Sequence, residues 1–306
     1  MNTFDLQIQT TASDGTHTPA DVVAMAKENN LSVIAITDHD TVGGVEEAFA
    51  AAKDSGVRVI SGIEMSVEEH GLHILGYGVD YTNSMLLAKL EEFKEGRIQG
   101  AKQMVENLKK AGFIVDWSDV EKEATGSVFA RPHLARAVLK RPENKEKLGA
   151  VANVHDFIDM YLSNESPNYV HRSHISAKDA IALMSNAGGV AVWSHPAIHF
   201  RNDYDGLEKW LQEMIPWGIR GLETFNPSHT EDDAEFLQVL CSTYHLLRTA
   251  GSDFHEKAEH HADSVSGLHS ARRLGDYEIY GFAVDDIIAH LDEAMDGARG
   301  GRGHGQ

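Results

Sequence analysis

The chain has 306 residues, is 42% hydrophobic, and sets 27 Lys and Arg against 47 Asp and Glu for a formal net charge of −20. That length supports one large core or a core domain carrying an insertion, and the charge argues against long duplex nucleic acid, which is bound by releasing counterions to a basic surface. Cys241 stands alone, so there is no disulfide framework and no zinc–thiolate site; no apolar run nears the roughly 20 residues of a membrane span, and residues 1–5 lack the pattern of a secretory leader, so the cytoplasm is the expected setting.

Residues 4–10 read as a strand. Thr18 and Pro19 then open a helix as N-cap and first helical residue, with an apolar stripe of Val22, Val23, Met25 and Ala26. Residues 32–37 form a buried-type strand, 44–55 a helix stopped by Gly56, and 57–63 and 72–79 two further strands. The alternation then breaks. Residues 85–111 read as one long helix, and 118–123, 133–139 and 154–162 as shorter ones, with little strand signal between 81 and 170. Alternation resumes with helices over 177–187, 207–217 and 232–243 and strands over 189–193, 219–224 and 246–250, and closes on a helix over 284–295. The Gly- and Arg-rich residues 297–306 are expected to be a disordered, solvated tail. Residues 1–80 and 171–296 thus make one strand–helix domain with a parallel sheet, open or closed, interrupted by a helical insertion over 81–170.

In such a fold chemistry gathers where strands end, and the metal-capable residues fall there. Asp38, His39 and Asp40 follow the second strand, Glu64 the third, His195 the strand 189–193, and Asp253 and His255 the last. His229 lies just past 219–224, Asp14 sits in the turn after the first strand, and His73 starts the fourth. A single His is more often a surface or hydrogen-bonded core residue, and an Asp after a strand is more often a turn former. The joint pattern is harder to explain as turns, which have no need of histidine. Imidazole and carboxylate together bind manganese, iron or zinc. Two or three such ions can clamp a phosphate, make hydroxide from water and stabilise the leaving oxygen. Glu64 is the candidate to bridge them.

The segment from Asp5-Leu6-Gln7-Ile8-Gln9 to Asp14-Gly15, with Ile36-Thr37-Asp38-His39-Asp40, Gly62-Ile63-Glu64, Ser194-His195-Pro196 and Gly251-Ser252-Asp253-Phe254-His255, resembles the PHP (polymerase and histidinol phosphatase) family of metal-dependent phosphoesterases. Arg131-Pro132-His133 and Asn226-Pro227-Ser228-His229 are similar to the branch holding nucleoside 3',5'-bisphosphate phosphatases and 5'-to-3' oligoribonucleases. The resemblance implies an α/β fold, a distorted (β/α)7-type barrel with an inserted helical subdomain and up to three ions. One ion would lie among positions 7 and 9, Glu64 and Asp253, a second on Glu64, His73 and His195, and a third on Asp14, His39 and His255. Arg131, His133 and His229 would meet substrate phosphate, with Arg131 and His229 neutralising developing charge; Asp40 or a site histidine would handle protons.

The chain departs from the family at Gln7 and Gln9, where the pattern has His-x-His. Both side chains point to one face of the strand, and an amide offers only a neutral oxygen, a poor ligand for these metals. Two well-held ions and a weak or lost third are therefore expected. Residues 164–170 also lack a lysine that the resemblance leads one to expect. The implied reaction is hydrolysis of a phosphomonoester, of a nucleotide such as a nucleoside 3',5'-bisphosphate, by attack of hydroxide generated at the metals. The alternatives are a 5'-to-3' exonuclease on short RNA and a non-catalytic nucleotide-binding protein with a degraded metal site. The expected partner is a small phosphorylated molecule, with no membrane.

Overall fold

A computed structural model describes residues 2–69, 71–124, 129, 131–151, 153–163, 165–170, 175–255 and 273–300. The chain divides into two compact units, one built chiefly from Met1–Lys89 and the chain after His174, the other chiefly from Leu90–Ser173.

In the first unit the strands follow the apolar runs. They are β1 (Phe4–Asp5), β2 (Val33–Ile36), β3 (Arg58–Ser66), β4 (His73–Tyr77), β5 (Val190–Trp193), β6 (Gly221–Phe225) and β7 (Leu247–Ala250), and they pair in chain order in one sheet. Regular pairing of β1 is brief because side chains compete for its backbone: the Asp5 carboxylate accepts the N–H groups of Gln7 and Ser252. The ring nevertheless closes. Leu6 N–H donates to Ala250 O at 3.1 Å, Gln9 N–H to Phe254 O at 2.9 Å, and Ile8 bridges Phe254 in parallel.

One expectation is corrected. The sheet is not all parallel, because β4 runs antiparallel to both β3 and β5. Only residues 67–72 join β3 to β4, far short of the dozen or so residues that a parallel crossover needs, so the two form a hairpin. The reversal puts the first residue of β4, His73, at the rim where the parallel strands end; it pairs with Ser66 at the end of β3.

Helices α1 (Pro19–Glu28), α2 (Val45–Ala52), α8 (Ala177–Asn186), α10 (Tyr204–Met214) and α11 (Glu231–Tyr244) link the strands. Thr18 caps α1 through a reciprocal box with Asp21. The final helix, α12 (Ile287–Gly300), presents Ile287, Leu291 and Met295, one turn apart, to the cluster formed by Leu6, Ile60, Leu75, Tyr77 and Val192. It carries Gly297–Gly300 in helical form, residues whose composition suggests disorder; residues 301–306 lie outside those described.

In the second unit, α4 (Trp117–Glu123), α5 (Arg131–Leu139) and α7 (Val154–Tyr161) share a core of Leu108, Phe113, Leu134, Val138 and Phe157 with the later turns of α3 (Ser84–Lys110). Phe113 stands edge-on to Phe157 and Tyr161 at centroid distances of 5.4 and 4.8 Å. Among the described residues no strand falls in this unit, and no helix is long and apolar enough to cross a membrane.

Candidate metal centre

Alternation along the strands sorts one face into an apolar floor and a polar rim. On β3, Ile60 joins the core while Glu64 reaches the rim, and on β4 Leu75 and Tyr77 lie below His73. On β5, Val190 and Val192 precede Ser194. Past β2 the chain continues beside β3, where Asp40 N–H donates to Glu64 O at 2.9 Å and His39 bridges Glu64. The turn bearing Asp14 is tied down by the buried Asp38 carboxylate, which accepts from Thr10 N–H and from Ser13 Oγ, each at 2.7 Å.

Glu64 is the hub. It is fully buried, with His73 Nδ1 at 3.0 Å and His195 Nε2 at 3.2 Å from Oε1 and His39 Nδ1 at 3.7 Å from Oε2. Two groups of potential ligands emerge among the described residues, Asp14–His39–His255 and His39–Glu64–His73, each with its ligand atoms within 4.8 Å of one another. His39 is common to both. His195 joins the second through Glu64, and its ring lies 5.3 Å from that of His73. Asp253 Oδ1 lies 3.8 Å from His255 Nδ1. That Nδ1–H donates to the Asp253 carbonyl at 2.8 Å, which leaves Nε2, 3.6 Å from Asp14, as the ring atom able to take a metal.

The electrostatics match a cation site. Burial alone would raise Glu64, but the imidazoles of His39, His195 and His73 outweigh it and hold the carboxyl well below its usual range. Asp14 is lowered too, against burial, by His39 and His255. Burial disfavours charge on His73 and His255, yet Glu64 raises the first, and Asp14 with Asp253 lifts the second to about 9. A cluster that drives protons onto its histidines calls for positive charge, which a divalent ion supplies. The donor set, imidazole with carboxylate, fits manganese, iron or zinc.

The family model described as PHP domain matches residues 5–214. The chain belongs to the PHP family. It is a metal-dependent phosphoester hydrolase. It is 32% identical over 267 residues to a 3',5'-nucleoside bisphosphate phosphatase of Chromobacterium violaceum, covering 85% of this chain and 89% of that protein. It is 31% identical over 258 residues to a 5'-3' exoribonuclease of Haemophilus influenzae, covering 82% and 89%. It is also similar to the solved structure of an amidohydrolase from Chromobacterium violaceum with bound sulfate and no metal. The TM-score is 0.76 and the identity 28%, over 96% of this chain and 97% of that one.

The remaining residues expected at the site fall in three places. Asp40 accepts Ser66 N–H at 2.9 Å. His229 is buried and donates Nδ1–H to Thr224 O at 3.1 Å; burial lowers its pKa to about 4, so it is neutral and offers a lone pair at Nε2. Arg131 and His133 belong to the helical unit, where the Arg131 guanidinium stacks 5.1 Å over the Tyr169 ring and donates to Leu162 O.

Sequence reasoning passed over Glu223 and His199, and it named Asp38 and Asn226 without assigning either a partner. Glu223 Oε2 accepts the His195 N–H at 2.9 Å and Asn226 Nδ2 at 3.1 Å; burial, with Asp253 nearby, pushes its carboxyl well above the usual range. His199 lies 5.7 Å from His195 ring to ring. An acid inside the apolar run 219–225 and a histidine one helical turn after His195 were the available signals.

Proposed function

We propose that the phosphoester cleaved by this PHP hydrolase is a phosphomonoester of a nucleotide, a nucleoside 3',5'-bisphosphate being the leading case. The reading is carried by the Asp, Glu and His cluster around Glu64, whose charge demand suits ions that in turn attract an anionic substrate to a chain of net charge −20. Similarity to the bisphosphate phosphatase over most of both chains supports the substrate class.

Asp14, His39 and His255 would hold one ion of the manganese, iron or zinc class, and Glu64, His73 and His195 another, with Asp253 beside His255. Bound there, ions supply Lewis-acid polarisation of phosphate and lower the pKa of water. Arg131 is the group that pairs two phosphate oxygens through its planar fork, with His133 beside it on α5. Neutral His229 accepts a hydrogen bond at Nε2 and so orients a donor on substrate or water. Asp40, pinned through Ser66 N–H, takes up a proton. The lone, buried Cys241 suits a cytoplasmic setting.

A phosphate-release assay with added manganese tests this across nucleoside 3',5'-bisphosphates, short 5'-phosphorylated oligoribonucleotides and sugar phosphates. Fastest turnover of the bisphosphate is expected. Preferential release of mononucleotides from the oligomers would transfer the assignment to the exonuclease, a reading supported by 31% identity to the exoribonuclease. Nucleotide binding without turnover of any of the three would establish the non-catalytic reading.

A further inference from the structure

The family resemblance implies an ion among positions 7 and 9, Glu64 and Asp253. The residues present do not fit it. Gln7 Nε2 donates to both oxygens of Glu64 at 3.2 Å and Gln9 Nε2 donates to Oε2 at 2.7 Å. The amides therefore turn hydrogens, not oxygens, toward the carboxylate with which a cation would have to be shared. Ser194 Oγ completes the ring, donating to Glu64 Oε1 at 3.0 Å and accepting from Gln7 at 2.9 Å.

The orientation of Gln7 is fixed from behind. Asn226 Oδ1 accepts the N–H of Ser228 at 2.9 Å, so Asn226 Nδ2 must be its donor end. That Nδ2 donates to Gln7 Oε1 at 3.0 Å and to Glu223 at 3.1 Å. Gln7 can present its oxygen to an ion only by breaking the bond from Asn226 and placing Asn226 Nδ2 opposite its own amide hydrogens. All of these side chains are buried, where such an unpaired group is costly.

We propose that this chain is built for two ions and not three: the amide hydrogens of Gln7 and Gln9 take the place of the missing cation and hold Glu64 for the ions on the other side. Glu64 is then not shared with a third ion but keeps Oε1 toward His73 and His195 and Oε2 toward His39. Gln7, Gln9 and Asn226 are positioning residues, acting on the centre through Glu64. The inference rests on the metal-centre reading above.

Elemental analysis of the protein saturated with manganese and freed of loose metal tests it without reference to activity. Two ions per chain are expected in the natural sequence, and three in a Gln7→His/Gln9→His double variant, which restores imidazole donors at that position. Three ions in the natural sequence, or no gain in a folded double variant, overturns the proposal while leaving the metal centre standing. One ion or none overturns the reading of the centre itself and the proposal with it. Should the double variant not fold, the count in the natural sequence decides alone.

Discussion

His229 gives the sharpest stability test. Its ring is buried, with Nδ1–H committed to Thr224 O, and its pKa lies at about 4 against an ordinary 6.5. An unfolded chain takes up a proton at this position as pH falls through 6.5, and the folded chain does not until about 4. Across that window the unfolded state binds more protons, so folding stability contributed by the neutral ring is full above 6.5 and is lost on acidification. At about 1.4 kcal/mol for each pH unit, the loss attributable to His229 is about 3 kcal/mol by pH 4. Asparagine can keep a donor near the Nδ1 position and cannot titrate. A His229→Asn variant is expected to be less stable than the natural chain at pH 7.5, because the smaller side chain leaves space, but to have a flatter pH dependence. Urea unfolding of both proteins at pH 7.5, 6.5, 5.5 and 4.5, with chelator present to remove ion linkage, measures the difference. Every other ionisable group is common to both proteins, so the comparison isolates position 229. Parallel loss of stability in the two would refute the assignment of a neutral, buried His229.

Asp38→Ala strands the buried Thr10 N–H and Ser13 hydroxyl that it now satisfies; a loss of about 3 kcal/mol is expected from unmade buried bonds, read by denaturant unfolding, with weakened metal uptake as the Asp14 turn loosens. In Gly251→Ala the new Cβ would lie 2.4 Å from Gln7 Cβ and 2.6 Å from Gln7 N, so the ring closure between β7 and β1 must shift, with a cost of about 1–3 kcal/mol by the same measurement. Ion affinity should rise with pH, because His73 and His255, the latter at about 9, must shed protons before they can ligate; calorimetry in buffers of different ionisation enthalpy at pH 7.5 should show proton release, and affinity that does not change between pH 6.5 and 8.5 would contradict it. Asp40 has φ of 52°, so Asp40→Gly should be more stable than Asp40→Ala by about 1 kcal/mol, the reverse of the usual order.

Much of this was legible in the residues, for reasons that differ by element. The strands at 33–36 and 190–193 were apparent because both are short, wholly apolar runs in which β-branched or aromatic residues are interrupted only by one alanine, and α1 because Thr18 and Pro19 mark its start locally. The direction of β4 was hidden because strand composition carries no polarity; the length of the 67–72 connection does, and that length emerges only once β3 is seen to run on to Ser66. The helical state of Gly297–Gly300 was hidden because it extends a helix anchored upstream by Leu291 and Met295, against the local preference of glycine. In the centre, Asp14, His39, Glu64, His73, His195 and His255 stood out by residue type at strand ends. Glu223 did not, and Asp38 and Asn226 showed no sign of their tasks, because each acts through partners far off in sequence: Glu223 on His195, Asn226 on Gln7, Asp38 on Thr10. The orientation of the Gln7 amide was beyond sequence altogether, since it depends on the Asn226 bond.

Backbone strain ties the fold to the centre. Asp40, His195 and Asp253 all have φ in the left-handed region, at 52°, 30° and 51°, a conformation that costs roughly 1–3 kcal/mol for such residues and persists only where neighbours over-determine it. Each lies just beyond the end of a strand in the first unit, and the surroundings of Asp40 and His195 supply the constraint. Asp40 is fixed at both backbone and side chain, its N–H on Glu64 O and its carboxylate on Ser66 N–H. His195 N–H is held by the buried Glu223 carboxyl. The turn at His195 lets its ring come off the end of β5 toward Glu64 while the next residue, Pro196, starts the short helix Pro196–His199. The turn at Asp253 sends its carbonyl to His255 Nδ1, which aims Nε2 at Asp14. Rigid strands alone would carry the chain past the rim; the strained residues bend it at the points where a ligand must face the centre. The free energy lost at these turns is offset by the buried hydrogen bonds that hold them, so the folded barrel itself fixes which way these residues face.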